Sequence, residues 1–128
     1  MINVGVAGRF KLEAVNEATG ERRELAPWFD NLITDQGLNH LGTSGIGQFC
    51  LVGTGSTAPA VTDTTLASKL AHTTTNTSVT YGGQASAPYY SWVRVVFNFA
   101  AGVAAGNLTE LGVGINTTLL FSRTLIKD

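Results

Sequence analysis

Trp92-Val93-Arg94-Val95-Val96-Phe97-Asn98-Phe99 is the stretch whose reading decides the fold. Val93, Val95, Phe97 and Phe99 fall on one side and Trp92, Arg94, Val96 and Asn98 on the other. A period of two is the signature of a strand with one face on a core, so residues 93–99 are expected to hold that core. Downstream, Ala100 to Gly106 is a small-residue connection, and Leu108 to Ile115 and Thr118 to Ile126 read as two further strands joined at Asn116-Thr117. With that two-residue turn, Ile115 faces Thr118, and counting outward sets Glu110 directly opposite Arg123. Opposite charges facing each other across a ladder contribute about 0.2–1 kcal/mol when exposed. Burial raises the stakes, because loss of one partner strands the other charge. Glu110 and Arg123 are therefore expected to be a register-fixing structural pair, with ligand binding as the alternative role.

Upstream, Gly82 to Pro88 breaks the chain, and the Thr-rich run from His72 to Tyr81 reads as an exposed strand. Asp63 to Leu70 is expected to form one or two helical turns capped by Thr62 or Asp63 and pinned by Leu66 and Leu70. Thr54 to Ala60 is loop, and Gly47 to Gly53 a short buried strand. In the segment from Asp30 to Gly42, Leu38 and Leu41 share a helical face. Asp30, Asn31 or Thr34 would cap its start and Gly42 stop its end, while Gly37 weakens it by about 1 kcal/mol relative to Ala. At the N-terminal end Phe10 to Val15 alternates as a half-buried strand, Asn16 to Gly20 supplies a turn, and Arg22 to Phe29 runs back. Pro27 implies that this second strand is an edge or ends there. No internal repeat stands out. The expectation is one domain over residues 1–128, mostly β: an antiparallel β-sandwich or open barrel with one or two short helices.

Composition narrows the function. The chain is 44% hydrophobic but only 13% charged, about half the usual share. A Thr-, Ser- and Gly-rich surface is easily desolvated, which favours homo-oligomeric contacts over a solitary monomer. The net charge is −1, with no basic footprint for phosphates, so nucleic acid is not an expected partner. No run approaches the roughly 20 apolar residues of a membrane span, and the start of the chain lacks signal-peptide order. Assembly in a cytoplasm is expected. Cys50, the only cysteine, lies in an apolar run and is expected to act as a small buried hydrophobe.

No catalytic, metal or cofactor constellation emerges. His40 and His72 have no HxH or HExxH spacing, and Cys50 has no CxxC partner. Gly53-Thr54-Gly55-Ser56 lacks a P-loop lysine, and Ser44, Ser56 and Ser91 lack a nucleophile elbow. Tyr81, Tyr89, Tyr90 and Trp92 gather beside a Gly/Ser/Pro segment. They are expected to pack in a core or an interface, with a glycan-binding platform as the alternative.

The order "WFDNLITDQGLNHLG", "CLVGTGSTAPAVTDTTLASKL", "WVRVVFNFAAGVAAGNLTELGVG" and "LFSRTLIKD" over residues 28–128 resembles small tail-fibre or tail-associated virion proteins of tailed bacteriophages. What the resemblance implies is a non-enzymatic virion component present in several copies, in the tail, collar or fibre-attachment region. Its partners would be copies of itself and other virion proteins. A receptor module that binds a host-surface glycan, or a head decoration protein, are the alternatives. Such relatives continue past the "FSRTLIKD" stretch into a further β segment, which this chain lacks. Either that strand is dispensable, or a neighbouring chain completes the sheet by strand addition.

Overall fold

The structure, a computed structural model, describes residues 5–44 and 47–127. Residues 1–4, on which the signal-peptide reading partly rests, lie outside them. The elements in chain order are β1 (Gly8–Val15), β2 (Arg22–Ile33), α1 (Asp35–Ser44), β3 (Phe49–Gly53), β4 (Lys69–Thr73), β5 (Asn76–Gly83), β6 (Ser91–Phe97), β7 (Glu110–Gly114) and β8 (Leu120–Leu125). Six of the strands form one antiparallel sheet in the order β1-β2-β8-β7-β3-β4, while among the described residues β5 and β6 pair only with each other. The large sheet curls into a half-barrel, so the open-barrel alternative is the one the chain adopts.

Strands β1 and β2 are joined as their turn residues demand. The Asn16 side-chain oxygen accepts from the N–H groups of Ala18 and Thr19, at 2.9 and 3.2 Å. Gly20 takes φ +73°, a conformation that costs other residues a Cβ clash. Strand β2 does not end at Pro27 but runs on to Ile33; it pairs with β8 only through Leu32 and Ile33, so around Pro27 it has a partner strand on its β1 side alone, a local edge among the described residues. The proline is tolerated because the β1–β2 register shifts there: Phe10 faces Phe29 but Leu12 faces Ala26, so Pro27 falls in an irregular stretch of the ladder.

Helix α1 starts later than its earliest candidate cap, because Asp30 to Ile33 belong to β2. Thr34 is the cap. Its hydroxyl oxygen accepts from the Gly37 N–H at 3.0 Å, and its carbonyl accepts from Leu38. Gly42 does not stop the helix, which continues to Ser44. The weakening glycine has a packing reason: a Cβ on Gly37 would stand 2.0 Å from the Phe121 carbonyl oxygen, so only glycine lets the helix lie on β8.

Two expectations fail. Asp63 to Leu70 forms no helix. The N–H groups of Ala67 and Ser68, which a helix would bond within itself, are donated instead to a buried carboxylate, and Lys69 already begins β4. Nor does the apolar face of residues 93–99 hold the core. Phe97 and Phe99 pack against it, but Val93 is 37% exposed, on a strand that among the described residues pairs with β5 and not with the large sheet. The principal core is built by Ala26, Phe29, Cys50, Val52, Ala71 and Leu111 on one face of the large sheet. Leu66, from the loop between Thr54 and Ser68, packs with Leu51 and Leu120 in a second cluster. Cys50 is buried as expected, and burial pushes its thiol up to about 12.

Candidate functional site

The loop between β3 and β4 lies over β7 and β8, and one buried charge group fastens it. Glu110, at the start of β7, is 0% exposed and Arg123, on β8, is 2% exposed. They are joined at 3.1 Å (Nε to Oε2) and 3.0 Å (Nη2 to Oε2). The pair exists, but not in the expected register. Glu110 faces Leu125, and Arg123 faces Gly112. The connection is longer than Asn116-Thr117, because Ile115 donates to the Leu119 carbonyl and the Asn116 side chain accepts from Thr118 and Leu119. The resulting slip is two residues, which preserves the side-chain face and turns an opposed pair into a diagonal one. Arginine is long enough to reach across that diagonal.

Neither charge has only the other. Glu110 Oε1 accepts from the Gly55 N–H (3.0 Å) and the Ser68 N–H (2.7 Å), and Oε2 accepts from Ala67 (3.0 Å). Arg123 donates through Nη1 to Asp63 Oδ2 at 2.6 Å and through Nη2 to the Thr57 carbonyl at 2.7 Å. Of the glycine-rich run Gly53-Thr54-Gly55-Ser56, the Gly55 N–H alone meets an anion, and that anion is the chain's own carboxylate. A Cβ on Gly55 would stand 2.5 Å from Glu110 Oε1, so glycine is what admits the close approach. Burial raises the Glu110 pKa, yet the Ser68 and Ala67 N–H groups, the Arg123 guanidinium and the Gly55 N–H together hold it below the ordinary carboxylate value. Asp63 is also held low, first by the Ala60 N–H, with burial opposing and Arg123 assisting. Asp63 and the loop N–H groups are the members the sequence reading missed. Their signal is two close glycines beside isolated charges in a charge-poor, apolar chain.

The aromatic group lies elsewhere, on the β5–β6 ribbon and the turn that joins its strands. Tyr81 and Tyr89 are each 76% exposed, Tyr90 55% and Trp92 46%, so none packs in the core. Trp92 pairs with Gly82 across the ribbon, and its indole covers the glycine: a Cβ there would stand 2.3 Å from the ring. The ribbon is tied to β2 by Arg94, whose guanidinium lies 5.3 Å from the Trp28 ring centroid, with Arg9 at 5.9 Å from the same ring. Where β2 diverges from β8, Leu12, Leu25, Ala104, Leu108 and Ile126 line an open notch of about 360 Å³, with no ionisable side chain on its walls. His72 stays at the β4 edge beside Phe49, at 6.2 Å between ring centroids. No family model, curated protein or solved structure matches this chain.

Proposed function

We propose that this chain is a non-enzymatic structural subunit of a tailed-bacteriophage particle. It would be assembled in the host bacterial cytoplasm, carried in the tail, collar or fibre-attachment region, and act through contacts with copies of itself and with other virion proteins. The observation that carries the subunit reading is surface. Trp28, Leu25, Val79, Tyr81, Tyr89, Tyr90 and Trp92 are large apolar groups left between 40% and 76% exposed. Interfaces favour such tyrosines and tryptophans. The phage assignment rests on the sequence resemblance across residues 28–128. A structural role is also favoured by the closed state of the Glu110 group, whose two oxygens accept five hydrogen bonds in all and are turned away from solvent.

The test is the native mass of the purified chain by light scattering, followed by labelling of the particle for electron microscopy. A multimer located at the tail supports the reading. A monomer absent from particles and active on a small molecule overturns it. The exposure of Tyr89, Tyr90 and Trp92 favours one second reading, a receptor module whose rings stack on a host-surface glycan. A glycan array probed with the intact oligomer separates the two, because only the receptor reading requires a hit. A head decoration protein would share the fold and differ in where the label falls.

A further inference from the structure

We propose that two copies of this chain pair edge to edge along β5, merging their β5–β6 ribbons into one four-stranded antiparallel sheet. The inference rests on the oligomeric reading above and names the surface that carries it.

The strand edges are not alike. The outer strands of the large sheet are guarded by charge: β1 carries Arg9, Lys11 and Glu13, and β4 carries Lys69. Charges on edges discourage pairing with a second chain. Strand β5, Asn76–Gly83, has eight residues, no charge and no proline. Its hydrogen-bonding phase can be read from the end of the ribbon, where the Gln84 N–H donates to the Tyr90 carbonyl at 3.0 Å. Antiparallel ladders alternate every second residue, so Gly82, Thr80 and Ser78 turn their backbone groups toward Trp92, Arg94 and Val96. Val79 and Tyr81 therefore direct theirs outward, at the free edge.

A second copy suits that edge better than an unrelated strand. An antiparallel strand pairs with itself about a twofold axis, which closes the assembly instead of propagating it. An uncharged strand meets no like charge when it does so. One face of the ribbon carries Val79, Tyr81, Val93 and Val95, with Val79 40% and Tyr81 76% exposed, and pairing would join two such faces into a continuous apolar surface. A lone two-stranded ribbon is marginal in water, whereas four strands with an apolar face are not.

The test uses the full chain. Tyr81→Lys places an edge charge on a side chain that the monomer leaves exposed, and Leu38→Lys, on the 51%-exposed helix position, is the control. Light scattering should give the wild type and Leu38→Lys as even multiples of the monomer. Tyr81→Lys should show a twofold lower mass with unchanged circular dichroism. Thr80→Cys, central on the edge, should form a disulfide-linked dimer under mild oxidation. The native Cys50 is buried and should not. This second variant decides the matter if Tyr81→Lys misfolds. A wild-type oligomer that survives Tyr81→Lys and does not crosslink at Thr80→Cys overturns the edge pairing while leaving the subunit reading intact. A monomeric wild type overturns both.

Discussion

Arg123 is the residue on which the covering loop depends. It reaches Glu110, Asp63 and the Thr57 carbonyl from a site only 2% exposed, so its removal leaves a buried carboxylate without its cation. Arg123→Ala should destabilise the chain by about 3–5 kcal/mol, measured by urea unfolding. The double variant Glu110→Leu/Arg123→Met should lose less than Arg123→Ala alone, because the carboxylate left without its cation is then only Asp63, which is 26% exposed to water, and no longer the fully buried Glu110. Acid should act through the same atoms. Glu110 and Asp63 are held below their ordinary values of 4.5 and 3.8, so the stability they contribute is complete above those values. It is lost as pH falls through the lower folded-state values. Melting temperatures followed from neutral pH into acid should therefore drop below about pH 4.5. The gap between wild type and Arg123→Ala should narrow over the same range, and a constant gap would show that the carboxylates are not the titrating groups.

Among the elements, α1 and β6 show local preference and packing in conflict. Gly37→Ala raises intrinsic helix propensity by about 1 kcal/mol, yet its Cβ would meet the Phe121 carbonyl oxygen at 2.0 Å. The variant should be less stable than wild type by calorimetry; a stabilised protein would mean that the helix does not lie on β8 as described. In β6 the alternation is real, but its two ends differ in what covers them. Phe97 packs against the principal core, whereas Val95 sits on the ribbon face. Phe97 is only partly buried, so Phe97→Asp should lower stability clearly but by less than the about 3–5 kcal/mol of deleting a fully buried aromatic ring. Val95→Asp should cost clearly less. Equal losses in chemical denaturation would argue that the ribbon is buried after all.

Over the whole molecule, a half-barrel with guarded edges carries an outlying ribbon without such guards. Contacts made through that ribbon would be apolar and backbone-mediated, with Arg94 as the only charge on either ribbon strand. Salt screens charge pairs at solvent-exposed sites but strengthens apolar burial slightly. The proposed oligomer should therefore persist unchanged in light scattering up to about 1 M NaCl. Dissociation by salt would point to ionic contacts elsewhere on the surface.

The alternating strands, the Asn16–Gly20 turn, the buried strand around Cys50 and a short helix near Leu38 follow from local pattern alone, because backbone sterics and period-two burial act within a few residues. The Glu110–Arg123 pairing was legible for the same reason: a slip of two leaves the face unchanged. What tertiary structure decided lies at long range. The loop from Thr54 to Ser68 forms no helix because its N–H groups bind a carboxylate more than forty residues away. Likewise, whether the apolar face of β6 is core or surface depends on which sheet comes to cover it, and alternation along one strand carries no information about that neighbour.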